Sequence, residues 1–232
     1  MSVDEALVMR GFWGARQESA KAVADKLVAF TARLDGVVGE RVSWTTRDMR
    51  SLADPLEFEQ VVAAAFDENT DAPHLGASQF YDGSAKGLEA ASIGMVVGGY
   101  SDSGNVKNSI VVKIRSADVE RFGAAVLRAV VSEWDPDWGD VTSSSLMRAL
   151  ADAQPRGKPI PKMGYMTYLS EARAQALPDG LEKHLQRLDN GGVVIGSNEK
   201  DGFLTAATAT ELAELLRSSA AFAATPASSS KL

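Results

Sequence analysis

AASIGMVVGGY (Ala90–Tyr100) and NVKNSIVVKIR (Asn105–Arg115) decide the fold class of this chain. Both segments have strand length and are rich in apolar and β-branched residues. Ile110, Val112 and Ile114 recur at every second position, the period of a half-buried strand. The link GGYSDSG (Gly98–Gly104) supplies turn chemistry, so the two segments read as an antiparallel hairpin. Hairpins intermixed with helices favour an α+β fold over a doubly wound parallel sheet. The expectation is a mixed or mostly antiparallel sheet with helices packed on it.

Working outward, Leu7 to Trp13 reads as an opening strand. Val23, Leu27, Phe30 and Leu34 then fall on one face of a helix that Gly36 and Gly39 end. Arg41–Thr46 reads as a strand. Asp54, Pro55 and Glu57 make a strong helix start: the aspartate caps, proline suits the first helical position, and the glutamate reaches back. That helix carries Phe58, Val61, Val62 and Ala65 inward. Asp67 to Ser84 is polar, holds Pro73 and Gly76, and reads as one long loop. After the hairpin, Ser116 and Asp118 suit a helix N-terminus, and Val119, Phe122, Val126 and Val130 form an apolar stripe. Leu127, Val131 and Trp134 widen it, so this helix is expected to be central.

In the C-terminal half, Ser143–Ala153 reads as a short helix and Lys162–Ser170 as a strand. Leu181–Leu188 fits either helix or strand. Asn190–Gly192 turns into a strand Val193–Ile195, and Thr208 with Glu211 reads as the capping box of a last helix. One domain over residues 1–225 is expected, with its best internal boundary at 154–161, where Pro155, Pro159 and Pro161 cluster. Residues 226–232 read as a frayed, small-residue tail. Its last three residues, Ser230, Lys231 and Leu232, match a peroxisomal address, but the alanine-rich composition looks bacterial and the match reads as coincidence.

Composition excludes several functions. With 232 residues, 45% hydrophobic and 24% charged, the chain can bury a full core. It has no cysteine, so disulfides, thiolate metal sites and a cysteine nucleophile are ruled out. The acidic N-terminus lacks a signal-peptide pattern, and no window approaches the length of a spanning helix. A soluble, cytoplasmic protein is expected, without membrane contact. A net charge of −7 repels phosphate backbones and disfavours direct nucleic-acid binding. It can instead steer the protein toward a basic partner.

The densest chemistry lies in EWDPDWGD (Glu133–Asp140), which holds two of the four tryptophans and three aspartates. Asp135, Asp137 and Asp140 do not follow the EF-hand spacing, since the sixth position from Asp135 is Asp140 and the twelfth is Leu146. A non-EF cation site and a helix C-terminal turn with tryptophans packed beneath both remain open readings. His74 and His184 have no metal-ligand pattern around them. No Gly-x-Ser-x-Gly elbow, phosphate loop or dinucleotide fingerprint is present; Gly98–Gly99 and Gly191–Gly192 read as turns. No catalytic residue, cofactor site or metal site is expected. Trp13, with Arg16 and Glu18 close by, reads as a buried tryptophan at a strand end.

The order of three segments is similar to the immunity protein 52 family: WGARQES (Trp13–Ser19) opening a helix, WDPDWG (Trp134–Gly139) followed by VTS (Val141–Ser143), and GYMTY (Gly164–Tyr168) with GGVV (Gly191–Val194). The resemblance spans roughly residues 5 to 220. It implies an antidote that binds and blocks a toxin made by the cell or its kin, without catalysis. The toxin it implies is a restriction-endonuclease-fold nuclease of a polymorphic toxin or type VI secretion system. Tight pairs rest on a few aromatic anchors ringed by charge. Trp138 with Asp135, Asp137 and Asp140 is one expected partner surface. The loop bearing Asp67, Glu68 and Asp71 is the rival one. A structural interaction protein without a toxin is the alternative, and an exposed Trp134–Trp138 patch would equally suit a homodimer, so oligomeric state stays open.

Overall fold

The structure is a computed structural model that describes residues 5–101, 108–115, 120–154, 160–196, 202–226 and 229–232. The described elements run β1 (Leu7–Trp13), α1 (Ala20–Val38), β2 (Ser43–Thr46), β3 (Ser51–Leu52), α2 (Pro55–Asp67), β4 (Ala77–Ser84), β5 (Ala90–Val97), β6 (Asn108–Arg115) and α3 (Glu120–Trp134). They continue as β7 (Trp138–Thr142), α4 (Ser144–Ala149), β8 (Met166–Leu169), α5 (Glu171–Gln175), β9 (Leu185–Arg187), β10 (Val193–Ile195) and α6 (Ala206–Leu216). All ten strands form one sheet in the order β3-β2-β4-β5-β6-β1-β7-β8-β10-β9. Every pairing is antiparallel. The α+β expectation holds, and the β5–β6 hairpin forms in the register Ile93↔Val112 and Met95↔Ile110. No helix among the described residues is long and apolar enough to cross a membrane.

The two halves of the sheet are covered differently. α1, α2 and α3 pack on one face, where Val23, Leu27 and Phe30 meet Met9, Ile93, Ile110, Val112, Val126 and Val130. On β5, β6 and β1 every second residue is buried, through Val97 and from Asn108, and those between are part-exposed or exposed, so a period of two is visible. From β7 to β10 the second face is covered too. There Trp138, Leu169, Val193 and Ile195 pack with Leu146 of α4 and with Leu212 and Leu216 of α6. β7, β8 and β10 are buried at every position, so alternation vanishes from their sequences.

The helix signals mostly hold. Ser19 caps α1 by accepting from the Ala22 N–H, and Gly39 ends it at φ +86° in the left-handed region. Gly36, expected to help end it, lies inside the helix. Asp54 and Glu57 form the reciprocal capping box of α2. For α6 the expectation needs correcting. The N-cap is Thr205, whose hydroxyl accepts from the Thr208 N–H at 3.2 Å, and Thr208 sits in the first turn. Thr205→Ala is therefore expected to cost about 1 kcal/mol. Thr208→Ala should stay within about 0.5 kcal/mol. Urea unfolding of both variants checks the assignment, and equal losses would overturn it.

Two further corrections concern strands. Asp67–Ser84 is not one loop: Pro73–Leu75 forms a 3-10 turn and Ala77–Ser84 is β4. β4 runs through the half of the sheet with one open face, so Ser78 and Asp82 point to solvent while Ala77 and Tyr81 are buried. Gly83 leaves room for the Trp44 ring, which would lie 2.6 Å from a Cβ there. β7, whose residues carry no alternating strand pattern, is a central strand between β1 and β8. Leu181–Leu188 resolves into a 3-10 turn (Glu182–His184) followed by β9. The expected cap at Ser116 and Asp118 lies outside the described residues, as do Val119 of the apolar stripe, residues 102–104 of the Gly98–Gly104 link, and Pro155 and Pro159 of the expected boundary.

Candidate functional site

The tryptophan–aspartate segment is a helix-to-strand joint. α3 ends at Trp134. Asp135 takes φ +46° and its N–H still donates to Val131 O at 3.1 Å, which closes the helix. Pro136 cannot continue it. Arg16 caps this helix end from outside, donating to Trp134 O at 2.7 Å and to Asp135 O at 3.3 Å while lying 4.6 Å over the Trp13 ring. The backbone then joins the sheet edge of β1, with Asp137 N donating to Phe12 O at 2.8 Å.

Asp137 is fully buried and accepts from four groups. Its Oδ2 takes Arg173 Nη2 at 2.6 Å and Thr225 Oγ1 at 2.7 Å. Its Oδ1 takes Ser170 Oγ at 3.0 Å and Leu232 N at 3.1 Å. Arg173 is itself fully buried and also donates to Ala221 O at 2.7 Å and Ala223 O at 2.9 Å. The pair therefore ties α5 and the C-terminal segment to the end of α3. Trp138 is 5% exposed and stacks on Phe12 at 4.3 Å between centroids. Asp140 is fully buried under Arg10, whose Nε donates at 2.7 Å. Burial pulls the Arg10 pKa down, but pairing with Asp140 outweighs it and leaves a net rise. Burial and the Arg10 charge push the nearby Lys162 ammonium below its usual range, with Asp140 opposing. Burial raises the Tyr168 hydroxyl to about 12, against a hydrogen bond from Asn190 and with Asp135 and Asp137 adding to the rise.

The expected surface anchor is thus an internal one. Asp137, Trp138 and Asp140 face the interior, because each carboxylate is matched to an arginine distant in sequence and β7 is covered on both faces. Trp134 is fully buried as well, so the pictured Trp134–Trp138 surface patch is absent. Asp135 alone of the four points outward, its side chain 55% exposed and paired with Lys231 at 2.6 Å. Residues 229–232, expected to fray, lie against this joint, and Gly14 N donates to Ser230 O at 3.0 Å.

The rival surface is real surface. Asp67, Glu68 and Asp71 are all exposed where α2 runs into the link toward β4. Asn69 braces that link through Nδ2 to Gly76 O at 2.7 Å. Tyr100 N donates to His74 O at 3.0 Å, bringing exposed Tyr100 beside exposed Leu75. Thr46 pairs with Tyr81, so the β2–β3 turn with Met49, 76% exposed, points to this same end of the sheet. Leu75 and Tyr100 therefore lie beside the link that carries the acids, and Met49 lies toward the same end of the sheet. The sequence marked the acids but not Met49, Leu75 and Tyr100, which are spread over three loops. Nor did it mark Arg173, which looks like an ordinary surface arginine in a short polar helix. His74 lies in the exposed 3-10 turn and His184 in another. Among the described residues no group of three or more His, Asp or Glu is placed to hold a metal ion.

A family model described as Immunity protein 52 matches residues 5–220. Among solved structures, a Pseudomonas aeruginosa T6SS protein, PA0821, is similar at a TM-score of 0.47 and 14% identity, over 83% of this chain and 66% of that one. The chain thus spans just under two thirds of that protein's length. No curated protein matches.

Proposed function

The chain belongs to the immunity protein 52 family, and on that premise we propose that it binds and neutralises a cognate bacterial toxin, acting by complex formation rather than catalysis. The observation that carries this reading is the family match over nearly the whole chain, residues 5–220. The toxin is a nuclease-type effector of a polymorphic toxin or type VI secretion system, with a restriction-endonuclease fold, met in the cytoplasm. A nuclease must approach phosphates, so its cleft is basic, and a chain of net charge −7 is steered to it.

The face that meets the toxin is the rim of Asp67, Glu68 and Asp71 around Leu75, Tyr100 and Met49. Exposed aromatic and aliphatic anchors inside a charged border are how tight interfaces are built. Co-expression with the toxin-like product encoded beside this gene tests the function: growth is rescued and a complex co-purifies. An active toxin that kills despite the folded protein, with no complex, would sink the pairing. The triple change Asp67→Lys, Glu68→Lys and Asp71→Lys is expected to slow association about tenfold at low salt while leaving the fold intact. Stopped-flow binding and circular dichroism read both. An unchanged association rate would move the interface off this rim.

A further inference from the structure

Residues 229–232 occupy a slot whose walls are held without them. On one wall, the Gly14 carbonyl accepts from the buried Asn108 Nδ2 at 2.6 Å, and Asn108 also bonds Gly99 in both directions at 2.9 Å. This anchors the backbone just after Gly14, whose own N–H faces the slot and donates to Ser230 O. On the other wall, Arg173, Thr225 and Ser170 fix the Asp137 carboxylate. Asp135, in left-handed backbone, holds its carboxylate outward between them. Glycine is required at 14: a Cβ there would lie 2.0 Å from Ser229 O.

What the tail contributes is slight by comparison. It offers Ser230 O to Gly14 N, Leu232 N to Asp137 Oδ1, and the Lys231 ammonium to Asp135. None of its four side chains is buried. Two of these three contacts use only backbone, and the third needs only a cation. Backbone pairing plus one charge pocket is how extended peptides are recognised. A tethered segment holds such a slot through effective concentration even when its intrinsic affinity is low.

We infer that the slot between Gly14 and Asp135–Asp137 is a peptide-binding site, held in cis by residues 229–232 and open to an extended lysine- or arginine-bearing segment of a partner protein. For the identity of that partner it rests on the antidote reading, in which the segment belongs to the toxin. The site itself is tested without the toxin, so its failure leaves the protection assay untouched.

The probe is a labelled peptide with the sequence of residues 226–232, added to the full chain and to the Lys231→Glu/Leu232→Pro variant. That variant repels its own tail from Asp135 and lacks the N–H that Asp137 accepts. The variant is expected to bind the peptide at least about tenfold more tightly than the unaltered chain. A peptide with glutamate in place of lysine should not bind, and Gly14→Val should abolish binding. On the unaltered chain, excess peptide should speed amide exchange at Leu232 while Gly14 stays protected, because the peptide replaces Ser230. Equal binding to both chains, no binding to either, or Leu232 exchange unmoved at saturating peptide would overturn the proposal. Concentration-dependent dimers lost in the double variant would overturn it too, by naming a second copy's tail as the occupant.

Discussion

Asp137→Ala is expected to lower stability by about 3–5 kcal/mol, enough to leave much of the chain unfolded at physiological temperature. The carboxylate is fully buried and faces an arginine that is also fully buried. Removing it strands the Arg173 cation away from water, and the cost of an uncompensated buried charge exceeds what the pair contributed. It also frees Thr225, Ser170 and Leu232 N of their acceptor. Asp137→Asn keeps one of the two accepting oxygens, and so two of the four hydrogen bonds, but not the charge, so it should fall between wild type and alanine. Asp137→Ala combined with Arg173→Met should recover a large part of the loss, because two apolar groups replace one pair. Urea unfolding followed by circular dichroism measures all three. A loss below about 1 kcal/mol for Asp137→Ala would contradict the burial and pairing described here.

The same residue shows how far sequence reading reaches. The crowding of aspartates and tryptophans at 133–140 marked the segment as unusual, and it is the joint between the central helix and the central strand. What no local pattern could disclose is direction. Whether Asp137 points outward depends on Arg173 in α5, and whether Asp140 does depends on Arg10 in β1. An arginine in EARAQ gives no sign of burial until the Ala221 and Ala223 carbonyls are placed around it.

Coverage of the sheet explains the strands in the same way. β6 was readable because one of its faces is left open, so Ile110, Val112 and Ile114 alternate with less buried residues. β7 was not, because WGDVT is buried at all five positions and its glycine and aspartate imitate a turn. Gly139 is needed there because a Cβ would lie 2.5 Å from Arg10 O. β4 failed for the opposite reason: ASQFYDGS is polar because its outer residues meet water, and the turn-like Gly83 makes room for Trp44. The cap of α2 was legible because capping is a contact within three residues, and Gly39 marked the end of α1, whereas the Ser19 cap went unmarked. The cap of α6 was misplaced because Thr205 and Thr208 both precede an apolar run.

Trp134→Ala is the companion test, with an expected loss of about 3–5 kcal/mol from cavity formation. Trp134 is fully buried at the end of α3, stacked on Trp13 at 6.1 Å and meeting Phe30 edge-on at 6.4 Å. It therefore joins α1, α3 and β1 at one point. Its indole N–H finds no acceptor among the described residues, so part of what the ring gains by burial is offset by an unsatisfied donor. Trp134→Phe removes that donor with a smaller cavity and should cost less than half as much as alanine. This ordering separates scaffold from interface. Where Trp134 serves only the core, the alanine variant that remains folded at low temperature binds the toxin with unchanged association rate. The rim charge reversals show the reverse: full stability and slowed association. A Trp134→Ala chain that is stable but blind to the toxin would place the tryptophan joint in the interface and overturn the scaffold role assigned to it.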